Sequence, residues 1–155
     1  MNTPAEKFTA HNATSPLAMD IPTLTEFLAR EFPQVAADFR IDTLEADRIV
    51  VRLLVDERHL RPGGTVSGPN MFALADVAIY LAILSRLGPV ALAVTTSAHM
   101  DFMRKPAAHA DLIATARLLK LGRSLAVGDV LIHSEGSSEP MARASMTYAI
   151  PPKRE

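Results

Sequence analysis

The chain has 155 residues, of which 48% are hydrophobic and 21% are charged. These values predict one globular domain and exclude an intrinsically disordered protein. The 16 Lys and Arg residues nearly balance the 17 Asp and Glu residues, and a formal net charge of -1 gives no positive field to attract nucleic acid. The sequence has no cysteine, which excludes disulfides, thiolate catalysis and Cys-ligated metal sites.

The first 20 residues mix Pro, Thr, Asn and Ala without a helical or strand period. We therefore expect a flexible N-terminal arm over residues 1–20 and a single domain over residues 21–155. The arm lacks a basic start followed by an apolar block, so it does not predict a secretory signal. The sequence has no run of 18 uninterrupted apolar residues, so we predict no membrane span and expect a cytoplasmic protein.

Helical spacing changes to strand spacing in the next segment. A short amphipathic helix over residues 23–32 is predicted by four apolar residues at helical intervals, Leu24, Phe27, Leu28 and Phe32. A strand that begins at Phe39 is followed by another over residues 48–55. A turn near residues 44–47 separates the two strands and predicts a hairpin.

Start and stop signals bound a long apolar segment. Pro69 suits the first turn of a helix, where its missing N–H costs nothing, and Gly88-Pro89 is a strong stop. Between them lie about five helical turns with apolar residues on nearly every face. A helix that is apolar all round is buried on most sides, so this segment predicts the core of the domain.

Four strands joined by short turns follow the helix. They are predicted over residues 90–104, 111–121, 125–133 and 141–150 and suggest an antiparallel meander. One helix is too little to cover both faces of a six-stranded sheet. The sequence therefore predicts an α+β fold in which an antiparallel sheet curls around the long helix and pairs its other face or its edge with a second copy.

A single carboxylate, Asp76, interrupts the apolar helix. Burial of an ionised carboxylate costs several kcal/mol unless it reaches a cleft or specific donors. Asp76 lies seven residues after Pro69, on roughly the face of the helix start, where unpaired N–H groups carry partial positive charge. That pattern suits an oxyanion hole with an acidic group near it. The alternative is an aspartate that is hydrogen-bonded to a neighbouring loop or subunit.

Three segments together resemble the hotdog-fold thioesterases of the PaaI type. The active-site segment of that family has an Asn, a Gly, then His-Gly-Gly, four variable residues and Leu-Ala-Asp, and residues 62–76 here read PGGTVSGPNMFALAD. Residues 94–107, VTTSAHMDFMRKPA, are similar to the family strand that ends in an aromatic, basic residues and Pro-Ala. Residues 120–125, KLGRSL, resemble its Gly-Arg turn, and the resemblance spans about residues 45–150.

The resemblance implies a hotdog fold, a homodimer or homotetramer with sites at the subunit interface, and hydrolysis of acyl-CoA thioesters without a cofactor, since coenzyme A is part of the substrate. Asp76 stands at the catalytic carboxylate, acting as general base or as nucleophile. Gly68 aligns with the first Gly of His-Gly-Gly, so its N–H would polarise the thioester carbonyl. Thr96 aligns near a hydroxyl residue that helps to hold water or substrate from the partner subunit.

The sequence departs from the family pattern at Ser67 in place of the His, at Pro69 in place of the second Gly, and at Arg61 where an Asn is common. Ser67 can cap the helix but does not hold a proton near neutral pH. Five residues are candidates for substrate binding, with helix capping or solvated charge as the alternative: Ser67, Asn70, Arg104, Lys105 and Arg123. The basic ones would meet the phosphates of coenzyme A.

Other chemistries find less support. The five histidines form no HxxxH or HExxH pair, so no metal site is predicted, and the sequence has no G-x-S-x-G elbow of a serine hydrolase. His99 and Asp101 share a strand face and could lie close together, but two ordinary solvent-exposed polar residues explain this pattern more simply. Five further residues could line an acyl pocket or pack in the core: Met71, Phe72, Tyr80, Met100 and Met103. The competing hypotheses are a non-catalytic acyl-CoA-binding hotdog module and a hotdog hydratase, which usually needs a His beside the Asp.

Overall fold

The computed structural model describes residues 17–152 of the protein. The long apolar segment forms the helix α3, Gly68–Leu87, as the start and stop signals predict. The other helices are α1 (Ile21–Glu31), α2 (Pro33–Ala36) and a 3-10 turn (Glu57–His59). The strands are β1 (Phe39–Leu44), β2 (Ile49–Leu53), β3 (Leu60–Arg61), β4 (Thr65–Val66), β5 (Val94–Phe102), β6 (Leu112–Leu121), β7 (Leu125–Ser134) and β8 (Pro140–Ala149).

Six strands form one antiparallel sheet in the order β1-β2-β6-β7-β8-β5. The predicted hairpin is β1–β2, and β6, β7 and β8 form the predicted meander. The fourth meander strand was placed wrongly, because β5 pairs with β8 at the far edge rather than with β6. The nine residues between β5 and β6 cross over, which strand periodicity does not reveal. The α+β hotdog prediction, a sheet wrapped around a long helix, is confirmed.

The helix α3 packs on the concave face of the sheet and forms the core of the domain. Most of its residues from Met71 to Ser85 are buried. By length and hydropathy it would suit a membrane span, but the sheet covers it, so it is a core helix. Gly128 of β7 allows a close approach of the helix to the sheet: a β-carbon there would lie 2.4 Å from Ile79 Cδ1 and 2.9 Å from the Arg117 carbonyl oxygen.

The helix α1 packs against α3. Asp20 caps it, since its carboxylate accepts a hydrogen bond of 2.9 Å from the Thr23 N–H. The Ala18 N–H donates to the Ser85 carbonyl oxygen over 2.7 Å, and Met19 is buried. Ala18 and Met19 of the predicted N-terminal arm therefore contact the domain, while residues 1–16 lie outside the described part of the chain.

Candidate active site

The start of α3 is built from hydrogen bonds between two of the predicted substrate-binding residues. Ser67 is the N-cap, and its Oγ accepts from the Asn70 N–H over 3.4 Å and from Asn70 Nδ2 over 2.7 Å. Asn70 Nδ2 also lies 3.2 Å from the His59 carbonyl oxygen, to which it donates. Pro69 has no N–H, and the N–H of Asn70 already donates to Ser67 Oγ. Gly68 therefore supplies the N–H at this helix start that is left for a ligand.

Gly68 lines a cleft of about 650 Å³ at the end of β5. The Phe102 ring packs on Gly68, with two of its carbons 3.5 Å from the position that a β-carbon would take. Arg104 and Lys105 lie at the same cleft. Arg104 pairs with Glu139 over 3.1 Å and donates to the Pro140 carbonyl oxygen over 3.0 Å. The rest of the lining is Arg61, Pro62, Gly63, Thr65, Val66, Met71, Met103 and Pro106.

Asp76 opens into a second, smaller cleft of about 280 Å³. Its Oδ1 accepts two hydrogen bonds, one from Thr95 Oγ1 and one from the Tyr148 hydroxyl, which lies 2.6 Å away. These donors satisfy the charge that the apolar helix would otherwise leave uncompensated. The other lining residues are Glu31, Phe32, Val77, Tyr80, Ala91, Ala93 and Val94.

A β-bulge decides which threonine reaches Asp76. In the β5–β8 pairing, Thr95 is opposite Tyr148 and Ser97 is opposite Thr147, so Thr96 is the extra residue. The Thr96 hydroxyl donates to the Thr147 carbonyl oxygen over 3.3 Å and does not contact Asp76 of its own chain. The hydroxyl group beside Asp76 is that of Thr95, and the predicted role of Thr96 in a partner's site stays a prediction.

Gly68 and Asp76 do not meet within one chain. Eight residues along a helix separate them by about 12 Å. Gly68 lies with Phe102 at one end of β5, and Asp76 lies with Val94 and Thr95 at the other end. A site that uses the Gly68 N–H together with the Asp76 carboxylate therefore needs two copies of the chain.

The predicted basic residues divide between these two ends. Arg104 and Lys105 lie at the Gly68 cleft. Arg123, in the turn between β6 and β7, lies near the Asp76 end, because Leu125 and Val94 both pair with Ala149. Arg123 lines a third cleft of about 710 Å³ with Arg86, Leu87, Val90, Gly122, Ser124, Ile150, Pro151 and Pro152. Two copies would be needed to bring all three basic residues to one ligand.

The remaining candidates lie in several places. Met71 and Met103 line the Gly68 cleft, and Tyr80 lines the Asp76 cleft. Met100 packs against the core and Phe72 is exposed. His99 Nε2 lies 3.2 Å from Asp101 Oδ1 in an exposed ion cluster, where Arg143 lowers the pKa of Asp101. Within residues 17–152 no group of three or more His, Asp or Glu side chains is placed to hold a metal ion.

Sequence reasoning missed three residues that contact Asp76 or Gly68: Thr95, Phe102 and Tyr148. Tyr148 had a usable signal, since a polar hydroxyl alternates with Ala144 and Met146 on the strand face toward the core. A buried hydroxyl on an apolar face needs a partner. The strand alternation did not name that partner, which lies 72 residues away in the chain.

About half of the chain matches a known protein family. A family described as the thioesterase superfamily matches residues 63–141, which contain both Gly68 and Asp76. The chain belongs to the thioesterase superfamily. A curated relative of Pseudomonas aeruginosa assigned as an esterase is 31% identical over 104 residues, covering 67% of this chain and 76% of that protein.

Two solved structures show the same architecture. A protein of a Silicibacter species assigned as a thioesterase is 56% identical with a TM-score of 0.84, over 92% of this chain and 97% of that chain. A single-residue variant of the phenylacetic acid degradation protein PaaI from Thermus thermophilus is 32% identical with a TM-score of 0.66, over 77% of this chain and 99% of that chain. The PaaI-type resemblance is thus confirmed for this thioesterase-superfamily chain.

Proposed function

We propose that this protein hydrolyses acyl-CoA thioesters at a site formed by the Gly68 N–H of one copy and the Asp76 carboxylate of another. The observation that supports this most directly is the Asp76 side chain itself. It lies on the core helix, opens into a cleft, and is held at one oxygen by two hydroxyl donors. A carboxylate kept in such a place suits a reacting group.

The edge strand β5 supplies the means of pairing two copies. It forms one edge of the sheet, and Val94 and Phe102 at its ends are 56% and 53% exposed. A long exposed edge strand is a template for another strand. Antiparallel pairing about a two-fold axis at Ala98, the middle residue, would set Val94 opposite the partner's Phe102. Each Asp76 cleft would then adjoin the Gly68 cleft of the partner.

The chemistry of the proposed site is acyl transfer to water. The thioester carbonyl oxygen would accept a hydrogen bond from the Gly68 N–H at the positive end of α3. Asp76 would take a proton from the attacking water as a general base, or attack the carbonyl carbon itself. In either case the C–S bond of the tetrahedral intermediate would break and release the thiolate of coenzyme A, and in the second case water would then hydrolyse the anhydride between the acyl group and Asp76 to the free acid. The scheme uses no metal or cofactor.

Recognition of the coenzyme A part would fall to basic side chains at the two ends of β5. A hypothetical thioesterase of Streptococcus pneumoniae that shares the fold, at 20% identity and a TM-score of 0.65, is described with coenzyme A. Lys105 forms no ion pair with another described residue, so its ammonium group is left for a phosphate, and Arg123 lies at the other end. A cytoplasmic location is part of this proposal.

Turnover of an acyl-CoA panel, followed by a free-thiol assay, tests the proposal. We expect Asp76→Asn, which keeps the side-chain shape, to lower kcat by about a hundredfold or more. Asp47→Asn, in the exposed turn between β1 and β2, is the matched control and should keep the wild-type rate. Full activity of Asp76→Asn would refute the assigned role.

A second candidate function is acyl-CoA binding without turnover. It is favoured by Ser67, whose Oγ accepts two hydrogen bonds from Asn70 and which does not take up a proton near neutral pH as the family His could. Isothermal titration calorimetry with a non-hydrolysable acyl-CoA thioether distinguishes the two. Binding of the thioether by a protein that hydrolyses no thioester of the panel would favour the binding module.

A further inference from the structure

We propose that Tyr148 is a positioning residue that orients the Asp76 carboxylate, so that Oδ1 is held by the protein and Oδ2 is the oxygen that reacts. This inference rests on the proposed function and deepens it. It separates the two oxygens of a carboxylate that is chemically symmetric in solution.

The position of Tyr148 follows from strand register. Tyr148 and Thr95 are paired residues on the neighbouring strands β8 and β5, so both hydroxyls lie on the face toward α3. Each reaches the same oxygen, Asp76 Oδ1. Within residues 17–152 no protein donor binds Asp76 Oδ2. The carboxylate therefore has one occupied oxygen and one that is available to water or to a thioester carbon.

Tyr148 is suited to a permanent donor. It is only 2% exposed, and its hydroxyl lies 2.6 Å from Asp76 Oδ1 and 2.8 Å from the Asp76 main-chain oxygen. The phenol has a single proton, and the charged oxygen is the stronger acceptor. Burial first, and then the neighbouring Asp76 charge, raise the pKa of Tyr148 well above its usual range. The phenol therefore stays protonated at any pH at which the enzyme would be assayed.

Loss of this donor would act on orientation rather than on binding. With Thr95 alone on Oδ1, the carboxylate could rotate and exchange its two oxygens between the protein and the cleft. An interaction that matters in the transition state changes kcat, whereas one made equally by bound substrate changes KM. We therefore expect a protein without the Tyr148 hydroxyl to bind acyl-CoA normally and to hydrolyse it slowly.

The variant Tyr148→Phe, which removes only the hydroxyl, tests this in the full-length protein. We expect kcat to fall by roughly tenfold, the size of one charge-assisted hydrogen bond, with KM within about twofold of wild type. Ser85→Ala is the matched control, since it removes another buried hydroxyl of the core, bound to the Ala82 carbonyl oxygen, and should leave kcat unchanged. An unchanged kcat in Tyr148→Phe would overturn the inference.

A double-mutant cycle separates positioning from general loosening of the fold. If Tyr148 acts through Asp76, adding Tyr148→Phe to Asp76→Asn should lower the residual kcat no further. A purely structural effect would lower the rate by the same factor in both backgrounds, and that result would overturn the proposal.

A measurement without turnover keeps this inference distinct from the proposed function. If wild type hydrolyses no acyl-CoA, the proposed function fails, and the contact is then tested by proton NMR. We expect a slowly exchanging hydroxyl proton in a hydrogen bond to a carboxylate, absent in Tyr148→Phe and shifted in Asp76→Asn. A spectrum without such a proton, or one that Asp76→Asn leaves unmoved, would refute the contact.

Discussion

Ile79 of the core helix packs directly on Gly128 of β7, so closely that a β-carbon at Gly128 would lie 2.4 Å from Ile79 Cδ1. The Arg117 carbonyl oxygen lies 2.9 Å from the same position. This contact fixes how near α3 lies to the sheet. It therefore also fixes the height of Asp76, three residues before Ile79 and about one helical turn away, above the hydroxyls of Thr95 and Tyr148.

The variant Gly128→Ala should consequently destabilise the fold. A methyl group at that position forces the helix or the sheet to shift, which costs about 1–3 kcal/mol in the free energy of unfolding. Urea unfolding followed by circular dichroism measures this loss. Adding Ile79→Val, which removes the opposing Cδ1, should cost less in the Gly128→Ala background than in wild type. Additive losses would show that the two residues do not press on each other.

Local patterns in the sequence predicted the features that depend on residues close together along the chain. The bounds of α3 followed from Pro69 and Gly88, and the importance of Asp76 followed from one charge in an apolar helix. What alternation does not encode is register between distant strands. The bulge that turns Thr95, and not Thr96, toward Asp76 arises from pairing with β8, and so does the approach of Tyr148. The place of β5 at the sheet edge is likewise set by pairing alone.

Mixing two inactive variants tests whether the proposed site is shared between copies. Gly68→Pro removes the N–H donor and should spare the helix start, because Ser67 already has φ −70° and ψ 150°, which suit a residue before proline. Asp76→Asn removes the carboxylate. A mixed dimer has one site with both groups intact, so an equal mixture that has exchanged subunits should recover about a quarter of the wild-type rate.

No recovery in a mixture with demonstrated subunit exchange would place both groups in one chain and contradict the shared site.

Light scattering measures whether pairing through β5 forms the dimer. Ala98→Lys sets two like charges against each other at the centre of the proposed β5 pair and should yield monomers. Ala29→Lys, on the exposed face of α1, should remain a dimer.

His59 should make the stability depend on pH. It is 2% exposed, and its Nδ1 accepts the Asp56 N–H over 2.8 Å. Burial, followed by the nearby Arg58 charge, lowers the pKa of His59. The unfolded chain binds a proton near pH 6.5, whereas the folded chain binds it only at a lower pH, so the free energy of unfolding should fall as the pH drops below about 6.5.

Urea unfolding at a series of pH values between neutral and mildly acidic checks this slope. His59→Asn should flatten the pH dependence, and His109→Asn, at an exposed position, should leave it as in wild type. An identical slope in His59→Asn would assign the acid sensitivity to other groups.

Lys105 should separate recognition of coenzyme A from chemistry. It is exposed at the mouth of the Gly68 cleft, where an ammonium group would meet a phosphate rather than the acyl carbon. Lys105→Gln should raise KM for acyl-CoA several-fold, with about the same kcat, because it removes binding that ground state and transition state share. The rise in KM should shrink as ionic strength increases, since salt screens an exposed ion pair.

The control substrate is the N-acetylcysteamine thioester of the same acyl group, which has no phosphates. Its kcat and KM should be the same with Lys105→Gln as with wild type. A similar rise in KM for both thioesters would mean that Lys105 shapes the cleft instead of binding phosphate.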